Sequence, residues 1–146
     1  MATKPAVLLV DDNPADVDLT RDVLSRCSCP HEIRSVGDGA EALAFLHRSG
    51  KYAKEGRPDL VILDLNLPRK DGRAVLAEIK ADPSLKTTPV VIFSSSPTQR
   101  DIRGSFELGA NSYVTKPGNL QGFVSTVTSI GEFWFGRAIL PPRKNS

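Results

Sequence analysis

The sequence predicts an α/β fold: a doubly wound (βα)5 chain with five parallel strands in one sheet and helices on both faces. Three observations carry that prediction. Short runs rich in Val, Ile and Leu alternate along the chain with segments whose apolar residues recur at helical spacing. Three of the runs, "AVLLV", "LVIL" and "VVIF", are continuous rather than alternating, as strands covered on both faces are. Polar or turn-forming residues follow the runs, so each strand is expected to lead through a right-handed crossover to the next.

The elements follow in order. Ala6 to Val10 is the first strand, and Asp11, Asp12, Asn13 and Pro14 both end it and start a helix. That helix is expected to run to about Cys27, with Val17, Leu24 and Cys27 on one face. Ile33 and Val36 belong to a shorter second strand, and Gly37 to Gly39 turn into a helix built on Ala40, Leu43, Ala44 and Leu46. Gly50 to Pro58 reads as a polar loop. "LVILD" supplies the third strand, and Val75, Leu76 and Ile79 supply a third helix that Asp82 and Pro83 end. Pro89 opens the fourth strand and Ser94 to Pro97 breaks it. Ile102, Phe106 and Leu108 mark a fourth helix stopped at Gly109, and Ser112 to Thr115 is a short fifth strand. The last helix has the most regular stripe: Leu120, Phe123, Val124, Val127, Ile130, Phe133 and Trp134 recur as a core-facing row does. With no repeat, low-complexity segment or linker, residues 1–146 are expected to form a single domain with its core at about 5–135 and a short C-terminal extension, 136–146.

Composition narrows the function. A net charge of +2 without a basic stripe argues against nucleic-acid binding, and "PPRKNS" at the end reads as a solvated tail. No apolar stretch approaches the roughly 20 residues that cross a bilayer, and the start lacks the pattern of a signal peptide, so a cytoplasmic protein without membrane contact is expected. Cys27 and Cys29, one residue apart, are read as reduced thiols near a helix end, with metal binding the lesser reading. His31 and His47 carry no phosphoacceptor motif and are read as ordinary helix or strand residues.

Chemistry concentrates where the strands end. Asp11 and Asp12 follow the first strand, Asp64 the third, Ser94 the fourth, and Lys116 with Pro117 the fifth. Sheets of this kind bind ligands beyond the carboxyl ends of their strands. In the 2-1-3-4-5 order the first and third strands are neighbours, so three carboxylates meet in one pocket and repel unless a cation intervenes. Oxygen donors with no histidine or thiol suit Mg²⁺. A site with Mg²⁺, a lysine and a hydroxyl around one free carboxylate is built to receive a phosphoryl group, with Asp64 as the nucleophile. Taken singly, Asp11, Asp12 and Asn13 could cap a helix, Asp64 could be a solvated turn residue and Lys116 a surface lysine. Those readings do not explain why the whole mixture falls on one edge of the sheet.

The acidic pair, "LDLNLPRKDG" around Asp64, Ser94 and the "TKP" motif together resemble a receiver domain of a two-component response regulator, over residues 5 to about 135. That resemblance implies a flavodoxin-like fold with strand order 2-1-3-4-5. It implies that Asp64 is the phosphoacceptor, Ser94 the switch hydroxyl and Lys116 the partner of a phosphoryl oxygen. Asp12, Asp64 and the main-chain carbonyl of Asn66 would hold Mg²⁺, with Asp11 acting through water. It also implies a cis bond between Lys116 and Pro117, and makes Tyr113 the aromatic residue that turns inward when Ser94 is drawn to the phosphate. Ser94 stands for a commoner threonine and Lys70 for a commoner apolar residue, while the small Ser95 leaves room for a phosphohistidine donor.

"NPADVDL", "GKYAKEGRP", "LPRKDGRAVLAEIK" and "EFWFGRAILPP" are similar, more narrowly, to stand-alone receivers that serve phytochrome-type histidine kinases. The expected partners are therefore a sensor histidine kinase and a second copy of the chain. Phe133, Trp134, Phe135, Ile139 and Leu140 offer more apolar surface than one terminal helix buries, which suggests a homodimer interface; the alternative is a tail folded back on its own core. Two rival functions remain. A degenerate receiver used as a binding scaffold would be expected to lack the acidic pair, acceptor or lysine. An aspartyl phosphatase would need a second acid two residues after Asp64, where Asn66 stands. The chain is thus expected to be a phosphoacceptor and not an enzyme.

Overall fold

The computed structural model describes residues 4–29 and 31–143. Strands β1 (Ala6–Val10), β2 (Glu32–Val36), β3 (Leu60–Leu63), β4 (Val90–Ser94) and β5 (Ser112–Thr115) form one sheet in the order β2-β1-β3-β4-β5. Every pairing is parallel. Five helices intervene: α1 (Pro14–Ser25), α2 (Gly39–Leu46), α3 (Gly72–Ala81), α4 (Gln99–Glu107) and α5 (Leu120–Glu132). This is the doubly wound arrangement the sequence predicts.

The two-residue period of a strand divides the core into two layers. Leu8, Val10, Val61, Leu63, Val90 and Ile92 face one way and pack with Ala42, Leu43, Phe45 and Leu46 of α2 and Val75, Leu76 and Ile79 of α3. Val7, Leu9, Leu60, Ile62, Val91 and Phe93 face the other way and pack with Val23 and Leu24 of α1 and Phe123, Val127 and Ile130 of α5. Burial on both faces explains why β1, β3 and β4 are continuous apolar runs.

Four local expectations differ from the structure. Helix α1 stops at Ser25, where Arg26 caps it, and its buried face is Thr20, Val23 and Leu24 rather than Val17, Leu24 and Cys27. In α2 the buried positions include Ala42 and Phe45, whereas Ala40 and Ala44 are only half-buried; eight residues are too few for periodicity to fix the inward direction. The expected loop from Gly50 to Pro58 opens with a 3-10 turn, Gly50–Tyr52. Tyr52 there packs on Phe45, its hydroxyl bonded to Glu41. On α4 only Ser105 is buried, while Phe106 and Leu108 are exposed, because this helix lies beside the short edge strand β5.

After α5 the chain widens into a π-helical turn, Phe133–Arg137, closed from the Ala138 N–H to the Phe133 carbonyl. That turn drives Phe135 inward, where its ring stacks on His31 with centroids 4.4 Å apart. Phe135 is therefore core and not free surface, and Trp134 and Leu140 are half-buried against the same layer. Arg143 carries the tail back to the start of the sheet, donating to Asp59 and to the Lys4 carbonyl. Of the tail predicted to be solvated, residues 144–146 lie outside the described residues.

Two glycines set how the loop after Asp64 sits. A Cβ on Gly72 would lie 2.2 Å from the Asp64 carbonyl oxygen and 2.7 Å from the Leu65 Cα. The Gly72 N–H donates to the Leu65 carbonyl at 2.8 Å, so α3 begins in contact with the backbone that carries Asp64. Gly39 does the same for the far side of the loop, where a Cβ would strike the Lys70 carbonyl. Between them Arg69 adopts a left-handed conformation, φ 69°, inside a tight turn closed from the Lys70 N–H to the Pro68 carbonyl. Gly72→Ala is expected to destabilise the fold by about 1–3 kcal/mol, as overpacking does. Gly104→Ala on α4, where a Cβ meets nothing within 4 Å, should stabilise it by up to about 1 kcal/mol. Urea unfolding of both variants checks the pair.

Candidate functional site

Parallel pairing brings the strand ends to one edge. Val10 lies opposite Leu63, and the Asp64 N–H donates to the Val10 carbonyl at 2.9 Å, which sets Asp11 and Asp64 side by side. Ser94 lies opposite Thr115, and the Lys116 N–H donates to the Ser94 carbonyl at 2.8 Å. The extended path that continues this ladder delivers Lys116 to the cluster with a trans bond to Pro117. The expected cis bond is therefore absent, in line with the intrinsic preference of X-Pro for trans.

Asp11, Asp12 and Asp64 each offer a carboxylate oxygen within 4.8 Å of the others. Lys116 Nζ reaches Asp11 Oδ2 at 2.8 Å, Asp16 Oδ2 at 2.9 Å and Asp64 Oδ2 at 3.1 Å. Its ammonium also stands 5.8 Å from the centre of the Phe93 ring, within cation–π range. Burial by itself would lower the Lys116 pKa, but hydrogen bonds to Asp11 and Asp16 and the charges of Asp11 and Asp64 outweigh it and raise the value. The Asp11 pKa is also raised, by burial, and the bond to Lys116 only partly offsets this. Such a group is cheaper to keep when a cation is near.

The remaining predicted residues fall around this cluster. Asp64 is 9% exposed, while Asp12, Asn66 and Ser95 are exposed, so Asp64 sits in a pocket that opens to solvent. The Asn66 N–H points to Asp64 Oδ1 at the long distance of 3.5 Å. Ser94 is fully buried at the end of β4, and its hydroxyl oxygen accepts from the Ser96 N–H at 3.2 Å. Tyr113 is half-buried, with its hydroxyl donating to the Ser96 carbonyl at 2.7 Å. Lys70 pairs with Glu78 of α3 at 2.9 Å. His47 stands at the C-terminus of α2, 3.7 Å from Asp82 and on another part of the surface. Cys27 and Cys29 are free thiols; Cys27 packs where a Cβ on Gly131 would lie 2.5 Å from its sulfur, and burial pushes its thiol pKa up.

One functional group escaped the sequence reading: Asp16. It lies in the first turn of α1, where an acidic residue is ordinarily explained by the helix dipole. The signal was present, since Asn13 already caps the helix through the Ala15 and Asp16 N–H groups and leaves the Asp16 carboxylate free for Lys116. Only the fold shows that this turn faces the lysine.

Comparison with known proteins gives the same picture. The family described as the response regulator receiver domain matches residues 7–128. Response regulator Rcp1 of Synechocystis sp. is 45% identical over 135 residues, which span 92% of this chain and 92% of that protein. The crystal structure of the Mn²⁺-bound form of Rcp1 superposes with a TM-score of 0.92 at 44% identity, covering 94% of this chain and 99% of that one. The phosphorylated cyanobacterial phytochrome response regulator RcpA superposes with a TM-score of 0.93 at 48% identity, covering 96% and 100% of the two chains.

Removing the lysine leaves three carboxylates against one another in a half-buried pocket. Lys116→Met is expected to lower stability by about 3–5 kcal/mol in metal-free buffer, the cost of orphaning a buried charge partner. Asp16→Asn, whose side chain is 27% exposed, should cost only about 1 kcal/mol. Urea unfolding in chelator-treated buffer checks both, and millimolar Mg²⁺ should restore part of the Lys116→Met loss.

Proposed function

The chain belongs to the response regulator receiver family, and from that membership we propose that it accepts a phosphoryl group on Asp64 from the phosphohistidine of a sensor histidine kinase. The observation that carries the reading is the position of Lys116, whose ammonium lies within 3.1 Å of the acceptor while also holding Asp11 and Asp16. Similarity to a phytochrome response regulator supports a phytochrome-type kinase as the donor.

In the proposed transfer an Asp64 oxygen attacks phosphorus, the P–N bond to the donor imidazole breaks, and the imidazole leaves with its electron pair. Because the transition state is loose, positioning and charge neutralisation do most of the work. Lys116 is already bonded to Asp64 Oδ2 and is placed to follow the incoming charge onto a phosphoryl oxygen. The donor set fits a hard divalent ion, since it consists of carboxylates from Asp11, Asp12 and Asp64 with the Asn66 carbonyl close by in the chain. Mg²⁺ held there would neutralise charge on the transferring group. Ser94, at the end of β4 beside β3, would supply a third contact, and its movement would alter the Tyr113 environment and with it the α4-β5-α5 surface. In this reading the protein is a phosphoacceptor that promotes its own phosphorylation and dephosphorylation, and not an enzyme acting on a separate substrate.

The same reading includes a homodimer. Phe133 and Ile139 are 51% and 95% exposed on the π-helical turn and the tail, and burial of both between two copies would remove apolar surface from water. A phosphatase reading is disfavoured by Asn66, whose amide is too weak an acid to protonate a leaving alkoxide as a carboxylic acid there would. A degenerate scaffold is disfavoured by the intact acidic pair, acceptor and lysine.

Incubation with acetyl phosphate and Mg²⁺ is expected to add one phosphoryl mass, not gained when the metal is chelated beforehand and absent in Asp64→Asn. Steady hydrolysis of phosphomonoesters without that adduct would overturn the reading. In sedimentation at micromolar concentration, Phe133→Ser/Ile139→Ser should weaken self-association at least tenfold, and a wild-type protein that is monomeric with and without beryllofluoride would remove the dimer.

A further inference from the structure

An ammonium group has three N–H donors, and Lys116 directs all three at carboxylates: Asp11 Oδ2 at 2.8 Å, Asp16 Oδ2 at 2.9 Å and Asp64 Oδ2 at 3.1 Å. The three acceptors are not equivalent. Asp11 and Asp64, together with Asp12, form the group whose oxygens lie close enough to share one divalent ion, and Asp16 is not in it. Asp16 also comes from a different kind of element. It stands in the first turn of α1, a helix seated on the core through Thr20, Val23 and Leu24, and Asn13 already caps that helix through the Ala15 and Asp16 N–H groups. Among the described residues, the Asp16 carboxylate bonds Lys116 and nothing else.

We propose that Asp16 is a positioning residue for Lys116: it keeps the ammonium in place when Asp11 and Asp64 turn to a divalent ion and to the incoming phosphoryl group. The proposal rests on the reading of Asp64 as a phosphoacceptor. Three features favour this role over that of an ordinary first-turn acid. A helix N-terminus is served by a negative charge with no particular partner, whereas Asp16 is bonded to a lysine one hundred residues away. Lys116 is a second cation beside a site for a divalent one, and the two repel in proportion to the product of their charges. The Asp16 carboxylate is the counter-charge that stays with the lysine. Finally, Lys116 is held from α1 by Asp16 and from β4 by the Phe93 ring, whose centre lies 5.8 Å from Nζ. The N–H groups that now meet Asp11 and Asp64 can then turn to a phosphoryl oxygen without the lysine leaving the site. Loss of the Asp16 charge should therefore cost the fold little, because the side chain is 27% exposed, yet deprive Lys116 of the one acceptor that the chemistry leaves to it.

The test uses the full chain, wild type against Asp16→Asn and Asp16→Glu, labelled with ¹⁵N-lysine; the Lys116 ammonium signal is assigned by its loss in Lys116→Arg. In saturating Mg²⁺, exchange of the Lys116 ammonium protons with water, read by NMR, should be roughly fivefold faster in Asp16→Asn than in wild type. In chelator, where Asp11 and Asp64 stay bonded to the lysine, the difference should shrink to about twofold or less. With acetyl phosphate and saturating Mg²⁺, phosphoryl gain at Asp64 should slow about tenfold in Asp16→Asn, and Asp16→Glu should return it to within about threefold of wild type. Unchanged exchange and rate, with only a lower urea midpoint, would reduce Asp16 to a helix-terminal acid and overturn the proposal. Mg²⁺ affinity weakened more than about tenfold at unchanged ammonium exchange would also overturn it, by making Asp16 a ligand of the ion. If wild type gains no phosphoryl mass, the acceptor reading falls, and ammonium exchange in Mg²⁺ still decides whether Asp16 anchors the lysine.

Discussion

A single ammonium group makes the carboxyl edge of this sheet possible. Parallel pairing forces Asp11 and Asp64 onto neighbouring strand ends, and Asp12 lies within 4.8 Å of both. Two like charges at that distance repel by about 3 kcal/mol at an effective dielectric constant near 20. Lys116, brought from the end of β5, answers Asp11, Asp16 and Asp64 at once, and no other described cation pairs with these three. The site is held in tension: its acids are costly to gather, and the proposed magnesium and phosphoryl chemistry draws on that cost by offering each group a better partner.

Backbone packing supplies the rigidity that this tension requires. Gly72 and Gly39 let the acceptor loop lie against main chain on both sides, closer than any side chain allows. Asp64 therefore projects from a segment fixed by β3 behind it and α3 ahead of it. The loop after β4 is built differently. Ser94 is buried, but Ser96 to Thr98 are held by side-chain hydrogen bonds and an ion pair rather than by packed backbone. Packed backbone has one arrangement, whereas hydrogen-bonded side chains can exchange partners, which suits the proposed roles of Asp64 as a fixed acceptor and of the loop after β4 as a switch that moves.

The end of the chain divides its apolar residues between two tasks. Phe135 completes the core against His31, and the tail is tied to the sheet by Arg143 and Asp59, so much of the expected surplus is spent within the chain. Phe133 and Ile139 remain outside. Folding back and leaving a patch for a partner are thus compatible, because the π-helical turn sends neighbouring residues in opposite directions.

Sequence alone determined the sheet, its helices and most of the site. Continuous Val, Ile and Leu runs report burial on both faces, and the residues after each strand report what the sheet edge holds; these are local properties that any window of the chain displays. The exposure of Phe106 and Leu108, the inward turn of Phe135 and the part played by Asp16 were decided only in three dimensions. Each depends on which distant element lies opposite, on the narrow edge strand beside α4 or on the lysine one hundred residues from Asp16. Periodicity says that a face is apolar and spacing says that a residue is polar, but neither carries the partner's position, and it is the partner that turns an amphipathic stripe into core or a helix-capping acid into a ligand of the site.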